Sequence, residues 1–387
     1  MNGIILAPTM SFMEVTAIRS TISAPETVSG STARFANRPS ISNSPLICRQ
    51  MSTSDCERWD QFVLQHPQGS PFHLIAWKKT IEQSFGYRPL YLIATQDDRI
   101  RGILPIFLVS NPIVGKVLLS SPFAVYGGIL ADCDDALRGL YQHVLGLGRD
   151  LQVDYIEFRN AYPEQCAGPS NVSRYVSFSN QLESTEAALM DALPKKSRNM
   201  VRKALKQPFE MRYDVRNTGV LDTIHSKNMR RLGTPSFPRR YFDSLLENFG
   251  PMADIREVWL DGKIMAASLN LYFRGDMHTY HAAADTRFNS LGPNTFMYFD
   301  HLRWAGQNGY KTFDFGRCKK GTNVLEFKKQ WNTTMRELPY EIVLIKRRDL
   351  PNFSPANPRF VGIIKLWQKL PLPLARALSR FVFPLFP

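Results

Sequence analysis

The chain has 387 residues, 44% of them apolar and 21% charged. That is enough for two buried cores and too apolar for a disordered or fibrous protein. Lys and Arg total 48 against 34 Asp and Glu, a net +14, which points to an anionic partner: nucleic acid, a membrane surface or a phosphorylated substrate. Five widely spaced cysteines with no CxxC argue against a zinc ribbon or disulfide scaffold. The seven histidines form no HExxH and no His-Cys cluster, so no metal site is expected. No apolar run reaches transmembrane length; the most apolar stretch, 100–131, is broken by Arg101, Pro105, Pro112, Lys116 and Pro122.

In chain order, residues 1–45 are rich in Ser and Thr without a period and read as a disordered extension. A first domain, 46–170, opens with a strand over Leu46–Met51 and helices after Ser54 and over Ala76–Phe85, the second stopped by Gly86. A hairpin of Leu90–Thr95 and Ile100–Leu108 follows, then β-rich Val117–Ser120 and Ala124–Leu130, a helix over Asp134–Leu151 and the strand Tyr155–Arg159. A second domain, 171–345, repeats that order. A basic helix spans Lys195–Gln207, helices cover Val220–Leu232 and Arg239–Phe249, and Asp261-Gly262 turns a long hairpin. Strand His278–Ala283, helix Asn294–Gln307 and strand Thr312–Phe315 complete it. Helices, an antiparallel hairpin, then a strand–helix–strand crossover, occurring twice, predict an α/β protein with mixed sheets. This is the element order of the GNAT acyltransferase fold, so two tandem GNAT-like domains are expected.

Several segments carry a family likeness: Phe72-His73, Trp77, Phe85 through Ala94, and Leu118 through Gly128 in the first half. In the second half they are Lys195 through Lys203, Leu232-Gly233-Thr234-Pro235, Phe313 through Thr322, and Phe327-Lys328-Lys329 before Trp331. This ordered series resembles FemAB-like proteins, in particular the branch associated with exosortase/PEP-CTERM and exopolysaccharide systems, over roughly residues 47–387. The resemblance implies transfer of an aminoacyl or acyl group to an amine of a peptidoglycan precursor or envelope glycan. It implies no cofactor bound by the protein itself, with aminoacyl-tRNA as donor or, alternatively, acyl-CoA. Cys318 stands where Ser is expected and Asn323 where Gly is expected, and the family's coiled-coil arm is not evident.

Amide formation needs an amine that loses its proton, a positioned acyl carbonyl and a stabilised oxyanion. The stretch Asp314–Lys329 follows a strand and carries Arg317, Lys319 and Lys328, which can bind phosphate or an oxyanion; Gly316 and Gly321 suit close backbone approach. By resemblance, Phe327-Lys328 matches a substrate-binding pair. Asp314 is either a base or a ligand to the amine, or an ordering partner of Arg317. His281, after Tyr280, is a candidate base against the plainer reading of a core histidine. Tyr126-Gly127-Gly128 permits ligand approach or merely a bulge, and Thr234 can line a cleft. Where acetyl-CoA enzymes carry a glycine-rich pyrophosphate turn, this chain reads Arg287 through Pro293 with a single Gly, which counts against simple acetyl-CoA use; Asn294 at the next helix start can still hold an anion. Lys195, Arg198, Arg202 and Lys206 fall on one helical stripe that suits a phosphate backbone such as tRNA.

Residues 346–387 hold eight cations against Asp349 alone, a net +7. Phe360, Ile363, Ile364, Trp367 and Leu370 share one helical face, and Leu374, Leu378 and Phe381 form a second stripe. This tail is expected to lie on an anionic membrane surface, against the alternative of folding back on the second domain. The expected protein is a cytoplasmic enzyme, peripheral on the inner face of the plasma membrane, acting on a phosphorylated or lipid-linked glycan or peptidoglycan precursor. The competing readings are an acyl-CoA enzyme for an exopolysaccharide amino sugar and a non-catalytic scaffold of polysaccharide synthesis or export.

Overall fold

A computed structural model describes residues 44–351 and 358–387, with side chains from 361 onward in the second stretch. The N-terminal extension expected over 1–45 lies almost wholly outside the described residues, as does the side chain of Phe360. The first half contains β1 (Ile47–Gln50), α1 (Cys56–Gln65), α2 (Ile75–Phe85), β2 (Arg88–Pro89), β3 (Leu92–Gln96) and β4 (Arg99–Leu104). It continues with β5 (Ile106–Asn111), β6 (Gly115–Ser120), β7 (Leu130–Ala131), α3 (Asp134–Asp150) and β8 (Tyr155–Phe158). The single strand expected over Ile100–Leu108 is two. Pro105 has no N–H for the ladder, and the run breaks there. As a result β4 joins the sheet β1-β3-β4-β7, while β5 joins a second sheet in which β8, β6, β5 and β2 follow one another. The β-rich stretch expected at Ala124–Leu130 is mostly a buried loop, and Ser121 and Phe123 just before it are at positive φ.

The second half contains β9 (Tyr175–Gln181), α4 (Glu186–Ala192), α5 (Lys195–Leu205), β10 (Glu210–Val215), α6 (Gly219–Leu232) and α7 (Arg239–Phe249). Then come β11 (Ala253–Leu260), β12 (Lys263–Phe273), β13 (Asp276–Ala284), α8 (Pro293–Gln307), β14 (Thr312–Lys319) and α9 (Asn323–Lys329). β15 (Thr334–Glu337), β16 (Glu341–Leu344), α10 (Pro358–Lys369) and α11 (Leu372–Val382) end the chain. The seven-stranded sheet runs β10-β11-β12-β13-β14-β9-β15. Asp261 and Gly262, both at positive φ, make the tight β11–β12 turn. β16 crosses back to pair with β8 of the first half.

Each half holds a parallel strand pair bracketing a crossover helix: β6 and β8 around α3, β13 and β14 around α8. The two halves share one aromatic seam. Trp77 of α2 meets Tyr241 and Phe249 of α7 edge-on, and Phe72 contacts Tyr126 on one side and His278 and Tyr280 on the other. Burial of so much ring surface, at about 25 cal/mol per Å², makes this seam a principal source of stability. It also fixes the position of one half against the other.

Candidate functional site

β13 and β14 are hydrogen-bonded in parallel over three positions, ending at His278 opposite Asp314. Beyond that point the two strands no longer pair: β13 continues along β12, and β14 continues along β9, its register with β9 irregular between Asp314 and Arg317. A gap therefore opens between two parallel strands, with His278 and Asp314 at its apex. Gly316, at φ 72, gives the kink that only glycine adopts without strain. A Cβ there would meet only the Thr279 carbonyl at 3.9 Å and the Lys328 Nζ at 4.0 Å.

Asp314 is buried and well satisfied. Its carboxylate accepts from the Tyr126 hydroxyl at 2.6 Å and the Gly316 N–H at 2.6 Å, and His278 Nδ1 stands 3.3 Å away. Burial alone would raise this carboxyl, but the His278 charge and hydrogen bonds hold it down at about 2. For His278, burial opposes the charged ring, yet Asp314, with Asp276 behind it, more than offsets this and raises the imidazole above its ordinary value. Asp314 does not pair with Arg317, the ordering role open to it in the sequence. The Arg317 guanidinium lies over the Tyr175 ring at 4.9 Å and donates to the Tyr340 hydroxyl at 2.8 Å.

Lys328 is 5% exposed. It reaches from α9 into the gap, where Nζ donates to the Gly316 and Arg317 carbonyls at 2.8 and 3.1 Å. Burial lowers its pKa to about 8, opposed in part by Cys318 and Asp314. Phe327 beside it faces away and packs on Tyr298 and Trp331 in the core of the second half. Cys318 is also buried, and its thiol is pushed up by burial, which disfavours a thiolate.

Next to this apex, a basic opening of about 190 Å³ lies between the halves. Arg159, Arg174, Arg317 and Lys319 line it with Glu157 and Tyr340; Phe386 and Pro387 line it too, and Arg159 donates to the Pro387 carbonyl at 3.4 Å. Arg336 of β15 sits on the rings of Tyr162 and Tyr126, 4.1 and 5.5 Å away. Neither His278 nor Arg336 stands out in the sequence.

The remaining expected site residues are distributed elsewhere. His281 does not adjoin Asp314. Its ring is packed among Phe237, Phe242, Tyr241, Tyr280 and His225, its Nε2 is buried without a partner, and burial holds its pKa well below the ordinary value. Tyr280 shares a hydrogen bond with Tyr241 at 2.6 Å across the seam. Gly127 and Gly128 admit protein rather than ligand: added Cβ atoms would lie 2.4 Å from the Ser121 Cβ and 2.3 Å from the Asn160 Oδ1. Thr234 follows the end of α6 at Gly233, where Ile364 of α10 packs, and it does not line the basic opening. Asn294 is the second residue of α8, but Gly292, which precedes the helix, lies against Ala204 of α5, an added Cβ meeting the Ala204 Cβ at 3.3 Å, so α5 covers that turn. On α5, Lys195, Lys196, Arg202 and Lys203 are exposed, as is Lys206 just after its end. Arg198 leaves the stripe: it turns back to Asp191 and the Leu193 carbonyl of the α4 end.

Residues 195–329 match the family model described as an acetyltransferase (GNAT) domain. That stretch contains α5, the strand gap and Lys328. Among solved structures, the chain resembles a crystal structure of FemX, at 14% identity and TM-score 0.63, over 78% of this chain and 98% of that one. A tandem GNAT protein of the clavulanic acid pathway aligns at 10% identity and TM-score 0.49, over 78% and 98% of the two chains. The L-PGS structure from Bacillus licheniformis aligns at 13% identity and TM-score 0.48, over 83% and 97%. No curated protein sequence matches the chain. The fold is therefore the mixed α/β architecture of two tandem GNAT-like domains.

Proposed function

We propose that this protein is an N-acyltransferase that joins an aminoacyl or acyl group to an amine of a phosphorylated or lipid-linked envelope-glycan or peptidoglycan precursor. The observation that carries the reading is the His278–Asp314 pair at the parting of two parallel strands, with Lys328 inside the gap. In this scheme Asp314 holds the Nδ1–H of a neutral His278, leaving Nε2 to take the proton of the attacking amine. The amine nitrogen forms the new bond to the acyl carbon, and the bond from that carbon to the donor oxygen or sulfur breaks. The leaving group takes up a proton. The Lys328 ammonium, already partly desolvated, stabilises the oxyanion. Arg317, Lys319, Arg159 and Arg174 supply an anionic-group site next to this apex, suited to the acceptor's phosphates.

Aminoacyl-tRNA is the favoured donor. The exposed cations of α5 suit a phosphate backbone, and the same helix covers the turn where an acyl-CoA pyrophosphate would be sought. The test is label transfer by the purified protein from aminoacyl-tRNA or from acetyl-CoA to nucleotide-linked and lipid-linked precursors. Transfer from aminoacyl-tRNA, lost in His278→Ala and Lys328→Met, is expected. Parent-like turnover in both variants, or transfer from neither donor, would overturn the reading; the latter favours a silent scaffold of a polysaccharide system. Tight CoA binding by calorimetry would favour the acyl-CoA alternative on an exopolysaccharide amino sugar.

A further inference from the structure

The chain's end does fold back on the second half, but it leaves several large apolar side chains facing out. Ala375 and Ser379 of α11 are buried; the Ser379 hydroxyl accepts from the Ser236 N–H at 3.1 Å, and Arg376 pairs with Asp222 of α6. In α10, Trp367 is buried, Ile364 packs on Gly233, and Arg230 of α6 donates to the Leu370 carbonyl at 2.7 Å. Trp367 is thus an anchor to the protein and not an outward one. The outward side carries the large apolar residues: Ile363, Leu366 and Phe381 are 60%, 64% and 64% exposed, with Val361, Leu374 and Leu378 beside them. A helix that stays in water turns its apolar stripe to the core. Here α11 does the reverse, and α10 leaves Val361, Ile363 and Leu366 in solvent beside its buried Trp367.

We propose that this outward face of α10 and α11 is a docking surface for an anionic lipid bilayer. The sequence from 358 to 387 carries Arg359, Lys365, Lys369, Arg376 and Arg380 and no acid. Lys365, Lys369 and Arg380 are exposed around the stripe. A groove of about 520 Å³ also runs beside Phe381, lined by Arg239, Arg240, Arg376 and Arg380 with Ser236 and Asp222. Apolar side chains entering the headgroup layer and arginines facing lipid phosphates are the two parts of interfacial binding. A second copy of the chain is a poorer occupant, because two such acid-free faces would repel. No helix among the described residues is long and apolar enough to cross a membrane, so the contact is peripheral. The inference is independent of the acyl-transfer reading.

Co-sedimentation of the full chain with vesicles tests it, using phosphatidylcholine alone and phosphatidylcholine mixed with phosphatidylglycerol. Binding to the mixed vesicles and little to the neutral ones is expected. The double variant Leu366→Asp, Phe381→Asp should bind at least roughly tenfold more weakly, with an unchanged unfolding midpoint because both side chains are in solvent. Arg240→Gln with Arg380→Gln should lose most of the preference for anionic lipid. Failure of the parent to bind mixed vesicles would overturn the proposal. So would parent-like binding by the Leu366/Phe381 variant. A dimer of the parent that the same two substitutions dissolve, without vesicle binding, would give the face to a second copy instead.

Discussion

Replacing Asp314 by Asn removes a charge while keeping shape and one acceptor oxygen, so it measures what the buried carboxylate does. The carboxyl lies at about 2 rather than at its reference 3.8. At about 1.36 kcal/mol per pH unit, that difference amounts to ~2.4 kcal/mol of folding stability at neutral pH. Because the folded pKa is depressed, this contribution is fully present above the unfolded value and is lost as pH falls through the folded one. Linkage leaves about 1.3 kcal/mol of it at pH 3. Chemical denaturation of parent and Asp314→Asn at pH 7 and pH 3 is the assay. The expected gap is ~2–3 kcal/mol at pH 7, narrowing to about half at pH 3. The electrostatic account is refuted by a gap below about 0.5 kcal/mol at pH 7, the range of an ordinary surface change. A gap that does not narrow in acid refutes it equally, since it would then reflect packing alone.

Lys328→Met should lower turnover by about 10²–10³-fold, the usual cost of losing one oxyanion donor, with the fold retained by circular dichroism. In the parent, turnover should rise with pH as His278 loses its proton above its ordinary value and fall again near pH 8 as Lys328 does; in Lys328→Arg, the alkaline limb should move to higher pH. Gly128→Ala places a Cβ 2.3 Å from the Asn160 Oδ1 and 3.0 Å from its Cα, and should cost about 1–3 kcal/mol in denaturation. Cys318→Ser should leave turnover within about twofold, because a buried thiol with a raised pKa is not a nucleophile.

The repeated element order was legible because helix and strand periods are local, and it led directly to two tandem GNAT-like units. Pro105 was equally visible, but its consequence was not. A missing N–H breaks a ladder locally, whereas the transfer of β5 to another sheet depends on where β2 and β6 lie. The site shows the same division. Asp314, Arg317 and Lys328 could be picked out from a strand end and a basic stretch. The partner of Asp314 could not, because Tyr126 is 188 residues away in sequence. His278 was passed over for His281: a strand period cannot tell which of two nearby histidines faces the parallel neighbour, and an irregularity in the β12–β13 register disturbs the alternation as well. Arg336 sits in a short polar strand whose value lies wholly in the rings beneath it. At the C-terminal helices the helical period gave the outward stripe Leu374, Leu378 and Phe381, but in α10 the expected stripe is split, with Trp367 and Ile364 against the protein and Ile363 in solvent beside Leu366, because a period carries no information about which face meets the protein.

The net charge that first pointed to an anionic partner falls into two physical classes. The guanidiniums of Arg317 and Arg336 are held against tyrosine rings at the seam of the two halves. Their position is fixed before any ligand arrives, and they are poorly screened, so they suit recognition of a particular anionic group. By contrast, Lys195, Lys196, Arg202 and Lys203 of α5 and Lys365, Lys369 and Arg380 of the last two helices stand in solvent on flexible stems. Salt screens them over about 8–10 Å, and they suit extended anions whose detailed geometry matters little, such as a nucleic-acid backbone or a lipid surface. Binding governed by the seam should therefore tolerate added salt far better than binding governed by α5 or the terminal helices. One salt titration, read on acceptor binding, tRNA binding and vesicle binding in turn, separates the three surfaces by slope. Equal slopes would mean that they act as one undivided basic field.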